Sequence, residues 1–419
     1  MTDHGAVAGA GGVGARFPAL RHRNFRRYVF GQGVSLIGFW MQAVAQSWLV
    51  YRISGSAQVL GMVAAAAYAP IVVVSPLTGV LSERARRWTA IIVTQTVMML
   101  LALGLGVVAA RGAATVPIVT VFAVCLGITG AVDLPLRQAF LVEMVGIDDL
   151  PSAVAMNASI FNAARVVGPA VAGMMVGAVG EAPCFFLNAA SYLAVLWALV
   201  GMRIPRRTPA IGAGVTGQGV ASGLRYVRQD RRLEALLLAL GVVSALSLQF
   251  NVLMPVVAKR VFGAGAQGYG LLLTAFGVGA VTSALWLASQ QYTHLEHRRN
   301  ILVGLLGFGG GLLGVAVSGR LEIALACQVI AGFCMIRYTA TTNTLIQLLV
   351  DDGFRGRVMG LHTVMFMGTS PIGSLVIGTV AERFGAPLGL AVAGATPVVI
   401  AAWLALRVPQ VALREPLAA

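Results

Sequence analysis

Asp133 and Arg137 stand four residues apart in an otherwise apolar stretch, "GITGAVDLPLRQAFLVEMV". In a helix, residues at this spacing lie one turn apart on the same face. A charged carboxylate in apolar surroundings is costly, so an acid at this position is a candidate for binding and releasing a proton. The pair could instead belong to a latch that closes one side of the molecule, or form a passive salt bridge at a helix end.

Two further arginines, Arg165 and Arg337, also lie inside apolar stretches, whereas Asp133 is the only acid in such a position. Charges within membrane segments usually mark functional sites and are paired. Arg165 could pair with Asp133. The excess of positive charge favours a substrate that carries an anionic, carboxylate or catecholate group.

The composition is that of an integral membrane protein. The chain has 419 residues, of which 58% are hydrophobic and 11% charged, against roughly 25% charged residues in soluble domains. Its net charge of +15 comes from arginines in short loops between apolar runs, so we do not expect nucleic acid as a partner. The four cysteines and five histidines show no metal-ligand or catalytic spacing, so we predict no metal, no cofactor and no enzyme activity.

Apolar runs of about 20 residues predict membrane-spanning helices. Twelve such runs predict an all-α membrane protein. They are approximately 28–50, 57–80, 88–110, 115–138, 153–178, 183–202, 233–257, 267–289, 300–318, 321–347, 358–380 and 387–407.

The loop charges predict the orientation of the chain. With the N-terminus in the cytoplasm, 21 basic residues fall on the cytoplasmic side and 6 on the other, so both termini should be cytoplasmic in a cytoplasmic (inner) membrane.

A weak internal repeat indicates two related halves. "SAQVLG" at the start of the second span resembles "GAQGYG" at the start of the eighth, and "GPAVAG" resembles "SPIGSLVIG" about 200 residues later. We therefore predict two pseudo-symmetric six-helix bundles. The predicted divisions are a cytoplasmic tail over 1–27, bundles over 28–202 and 233–408, a basic linker over 203–232 and a second tail over 409–419.

The stretch "GVLSERARRW" between the second and third spans resembles the signature loop of the major facilitator superfamily. Gly79, Arg84 and Arg87 match it, and Glu83 replaces the usual aspartate. The resemblance implies a cytoplasmic latch, which Arg137 could join. The alternative is generic positive charge on the cytoplasmic side.

The fifth predicted span contains "RVVGPAVAG", which resembles the antiporter motif of the same superfamily through Gly168, Pro169 and Gly173, preceded by Arg165. This motif implies either a kinked hinge or close helix packing. Together with "DLPLRQAFLVEMV" and "DDGFRGRVMG", it is similar to the enterobactin-exporter-like branch of drug–proton antiporters.

In that superfamily the first, fourth, seventh and tenth spans line the pathway, so polar stripes on them are substrate-cavity candidates. A structural role in interhelical hydrogen bonds remains the alternative for the first span, and bonding to backbone carbonyls remains one for the arginine in the tenth. The candidates are Gln32, Ser35, Gln42, Gln46, Asn251, Arg337 and Thr341.

These features predict a proton-coupled antiporter that exports a small amphipathic molecule, such as a drug or siderophore, by alternating access. The alternative is a proton-linked importer of a small anionic solute. Its expected partners are a small-molecule substrate, protons and the lipid bilayer, and we expect it to work as a monomer.

Overall fold

The computed structural model describes residues 18–84, 87–202, 217–290 and 294–407; side chains are described for these except at 73, 75–84, 217–221, 294 and 295. The first half of the chain forms six long helices. They are α1 (Arg23–Ser54), α2 (Ala57–Arg84), α3 (Arg87–Ala110), α4 (Val116–Val145), α5 (Leu150–Val179) and α6 (Ala182–Val200).

A linker helix, Gly217–Gln229, precedes the six helices of the second half. These are α7 (Arg231–Val261), α8 (Gly265–Ala288), α9 (His294–Val317), α10 (Leu321–Leu349), α11 (Asp352–Phe384) and α12 (Ala386–Arg407). Within α7 the winding changes to a 3-10 turn and a π turn, and α11 contains a π turn at Val364–Gly368.

The predicted all-α fold with twelve membrane helices is confirmed. In the described part of the chain, eleven helices are long and apolar enough to cross a membrane, and the apolar portion Ala57–Val72 of α2 supplies the twelfth. We call the side where α1 begins and the linker helix lies the linker face, and the other side the opposite face.

The predicted end of the fourth span at residue 138 was wrong, because α4 continues to Val145 with Pro135 in its interior. A proline removes one backbone hydrogen bond, but neighbouring helices and side chains can compensate for this loss in a membrane bundle. Phe140 and Met144 beyond the proline are buried against the first half, and this packing supports the last turns. Arg137 therefore lies more than two turns before the end of the helix.

The linker also ends earlier than predicted. Asp230 caps the N-terminus of α7, and its carboxylate accepts a hydrogen bond from the Arg232 backbone N–H at 2.8 Å. This is the usual role of an aspartate at a helix start. Arg231 and Arg232 thus belong to the first turn of α7 rather than to the linker.

The repeated motifs of the two halves contact each other at the interface between the halves. α5 packs on α8 where Gly173 meets Gly270, and a Cβ atom added to Gly173 would lie 2.8 Å from the Gly270 Cα atom. α2 packs on α11 in the same way, where Gly61 meets Gly378. Small residues allow this close backbone approach, so the repeated motifs form the two related contacts that join the halves.

Candidate functional site

Asp133 lies at the centre of a polar network inside the first half. Its side chain is 1% exposed, and one carboxylate oxygen lies 2.6 Å from Nε of Arg137. The other oxygen accepts hydrogen bonds from the Thr94 hydroxyl at 2.6 Å and from the Gln95 amide at 2.9 Å, both on α3. Arg137 also interacts with the Tyr28 hydroxyl of α1. The network therefore ties α1, α3 and α4 together through one buried charge pair.

The predicted latch is described only in part. The side chains of Glu83 and Arg84 and the surroundings of Gly79 lie outside what the structure describes. Arg87 forms an ion pair with Glu143 at 2.6 Å, and both side chains are 24% exposed. Glu143 was expected after the fourth span, but the continuation of α4 brings it opposite the start of α3. Arg87 and Arg137 thus have separate carboxylate partners.

The glycines of the α5 motif permit close helix packing. Gly168 lies against Trp40 of α1, and Gly173 against Gly270 of α8, with Pro169 inside the helix between them. Close packing is therefore observed, while the hinge role stays a prediction. Arg165 does not share the Asp133 network as the sequence suggested, because its guanidinium lies against the rings of Trp40 and Phe276.

The polar residues of the α1 stripe do not share one environment. Gln42 is buried and its carbonyl oxygen accepts a hydrogen bond from the Asn188 side chain of α6 at 2.6 Å. Gln32 and Ser35 are also buried, and Gln46 is partly exposed. Gln42 thus makes the interhelical bond that was the alternative to a cavity role, and the cavity role of the stripe stays a prediction.

The cavity candidates of the second half are also separated. The Arg337 guanidinium donates to the side-chain amide oxygen (Oδ1) of Asn300 at 2.6 and 3.1 Å and lies 4.9 Å from the Trp286 ring centroid. These partners lie on α9 and α8, so Arg337 sits within the second half. Thr341, one turn further along α10, lines a cavity of about 350 Å³ between the same helices. Asn251 lies in the 3-10 turn of α7.

A contact between the halves at the opposite face was missed by the sequence analysis. The carboxylate of Glu382 on α11 accepts hydrogen bonds from the Ser56 hydroxyl at 3.0 Å and the Ala57 N–H at 2.8 Å. It thereby caps α2 of the other half. Beside it, the Arg260 side chain of α7 donates to the Gly55 carbonyl oxygen at 2.7 Å. No local sequence pattern links residues so far apart in the chain, so these contacts between the halves could not be predicted from the sequence.

No group of three or more metal-ligating side chains that could hold a metal ion occurs among the described residues. The buried polar groups described above are instead pairs and small networks between helices. Such an arrangement suits a protein that rearranges its helices, as transporters do.

Comparisons with known proteins point to the same class. Residues 14–416 match the family model described as transmembrane secretion effector. The staphyloferrin A transporter of Staphylococcus aureus is 26% identical over 86% of this chain and 90% of that protein. The multidrug efflux pump Tap of Mycobacterium tuberculosis is 26% identical over 92% of this chain and 91% of that protein.

Solved structures support the fold. A bacterial homologue of the human lysosomal transporter Spinster, in an inward-facing and occupied conformation, aligns with a TM-score of 0.76 at 13% identity, covering 95% of this chain and 99% of that chain. A D-xylose–proton symporter aligns with a TM-score of 0.70 at 16% identity, covering 94% and 100%. With the family match over nearly its whole length, the chain belongs to the transmembrane secretion effector family of major facilitator transporters.

Proposed function

We propose that this transporter is a proton-coupled antiporter that exports a small amphipathic molecule, such as a drug or a siderophore, by alternating access. The names of its relatives, a staphyloferrin A transporter and multidrug efflux pumps, support this substrate class. The observation that carries the proposal is the Asp133 carboxylate, buried within a membrane helix and paired with a single arginine. We further propose that the linker face is cytoplasmic in the inner membrane, since it carries most of the arginines.

The geometry around Asp133 suggests how a proton would act. All three partners of the carboxylate are hydrogen-bond donors, and one of them, Arg137, carries a positive charge. A proton on Asp133 would remove the attraction to Arg137, and Arg137 would then be free to leave its contact with α1. Protonation would thus loosen the contacts among α1, α3 and α4. One charge crossing a potential of 100 mV supplies about 2.3 kcal/mol to drive such a cycle.

Everted membrane vesicles test the proposal. They are supplied with labelled cationic dyes and with catecholate or carboxylate compounds, with and without an imposed proton gradient. We expect gradient-driven uptake by the native protein. We expect Asp133→Asn to lose gradient-driven uptake but to keep substrate exchange without a gradient, since the isosteric amide preserves the shape of the site.

The matched control is Glu181→Gln, which removes the charge of the carboxylate that pairs with Arg52 within the first half. It should retain gradient-driven uptake. Full gradient-driven uptake in Asp133→Asn would show that Asp133 forms a structural salt bridge and does not carry the proton. Gradient-driven uptake confined to right-side-out vesicles would favour the importer instead.

A further inference from the structure

Arg165 lies at the middle of α5, at the junction between the two halves. It is the sixteenth of the 30 residues of α5. α5 and α8 are in close contact there, since the Thr274 hydroxyl of α8 donates to the Val166 carbonyl oxygen at 3.5 Å. The Arg165 guanidinium lies 5.5 Å from the Trp40 ring centroid in the first half and 5.0 Å from the Phe276 ring centroid in the second. Arg165 therefore touches aromatic rings of both halves.

The positive charge of Arg165 has no acidic counterpart in the described part of the chain. No carboxylate there lies within ion-pair distance of it, whereas Asp133 and Glu143 are each paired with another arginine. The faces of aromatic rings attract a cation but carry no net negative charge, so they compensate it only partly. Charged residues inside a membrane bundle usually pair with an opposite charge and mark functional sites, so Arg165 can take a bound anion as its partner.

A second donor beside Arg165 also lacks an acceptor among the described residues. The indole N–H of Trp40 is buried, and no described acceptor lies within hydrogen-bonding distance of it. Tryptophan N–H groups usually find a partner when they are buried. Arg165 and Trp40 thus place a cation and an unused N–H donor next to each other.

Accessible aromatic side chains surround these two donors. Phe161 packs edge-on against Trp40 with ring centroids 5.7 Å apart, and Phe39 does so at 5.8 Å. Tyr68 of α2 lies in the neighbourhood of Arg165. Phe39, Phe161 and Tyr68 are 48%, 40% and 40% exposed, so their rings are available to contact a bound molecule.

We propose that Arg165 and Trp40 bind the anionic group of an amphipathic aromatic substrate, while Phe39, Phe161 and Tyr68 contact its apolar part. This deepens the proposed export function and rests on it. Because both halves contribute rings to Arg165, the bound anion would neutralise the charge at the very contact that must change between the two states of the transporter. Arg337 differs, because its carbonyl and ring partners belong to the second half alone.

The test is equilibrium binding of tritiated 2-naphthoate, its neutral amide and the cation 2-naphthylmethylammonium to the purified full-length protein in nanodiscs. The three probes share a ring system and differ in charge. We expect the native protein to prefer naphthoate. Arg165→Gln should weaken naphthoate binding about tenfold or more, since a hydrogen bond to a charged group is worth about 1.5–3 kcal/mol, and should leave amide binding unchanged.

Two further variants sharpen the assignment. Arg165→Lys keeps the charge but not the planar guanidinium, so it should retain part of the preference for naphthoate and also report on any folding loss. Arg52→Gln removes a positive charge outside the proposed site, where Arg52 pairs with Glu181, and it should retain the full preference. Absence of a naphthoate preference in the native protein, an unchanged preference in Arg165→Gln, or its loss in Arg52→Gln would overturn the proposal. Binding is measured without a proton gradient, so this result is independent of whether transport is proton-coupled.

Discussion

Glu382 provides the sharpest test of how the two halves are held together at the opposite face. Its carboxylate accepts hydrogen bonds from Ser56 and from the backbone N–H groups of Ala57 and Gln58, at 2.8 to 3.4 Å. A second-half side chain thus caps a first-half helix. Removing an N-terminal cap costs about 0.5–2 kcal/mol, typically 1. Because Glu382 is exposed to solvent, we take about 1 kcal/mol for Glu382→Ala.

This free energy belongs only to the state in which the opposite face is closed, because the cap and its acceptor lie on different halves. A change of about 1 kcal/mol corresponds to a factor of about five in an equilibrium ratio. Glu382→Ala should therefore lower the ratio of closed to open molecules about fivefold.

The ratio can be measured by electron–electron resonance between spin labels at Arg111 and Arg320, in a background whose native cysteines are replaced. Both positions are exposed loop residues at the opposite face, one in each half. Glu181 offers a matched control, because it pairs with Arg52 at 2.7 Å within the first half. Glu181→Ala should leave the distance distribution unchanged. An unchanged distribution in Glu382→Ala, or an equal shift in both variants, would refute the reasoning.

Two glycine positions give further predictions. Gly279→Ala should lower the unfolding temperature, because its new methyl group would overlap the Val329 carbonyl oxygen of α10, and overpacking costs about 1–3 kcal/mol. Gly310→Ala is the control, because a methyl group there meets no atom within 4 Å. Equal unfolding temperatures of the two variants would contradict the packing argument. Gly173→Val should separate α5 from Gly270 and lengthen the same spin-label distance, and a native distance distribution would show that this contact does not hold the opposite face closed.

The local features of the candidate site were predictable from the sequence. Asp133 and Arg137 pair as expected, because a spacing of four residues in a helix fixes their proximity without any knowledge of the rest of the fold. The close approach of Gly173 was also foreseeable, since a glycine motif in a membrane helix has few other uses. The sequence showed Gly270 only as part of a repeated motif and did not identify it as the partner of Gly173.

Contacts between distant helices could not be predicted in the same way. Gln42 bonds to Asn188, and Glu382 to Ser56, across 146 and 326 positions of the chain. A stripe of polar residues reveals that a helix has a polar side but not which neighbour faces it. The helical turns after Pro135 were missed for a related reason, since they are supported by packing against other helices.

Hydropathy and the internal repeat were enough to predict twelve membrane helices in two related halves, because hydropathy acts locally and adds up along each segment. The sequence also placed Asp133 and three arginines within those segments, and the longer α4 of the structure adds Glu143. The tertiary structure was needed to show that Arg137 pairs with Asp133, whereas Arg165 lies among aromatic rings at the junction between the halves. The partner of a buried charge depends on the rotation and packing of whole helices, and these are set by all their contacts together.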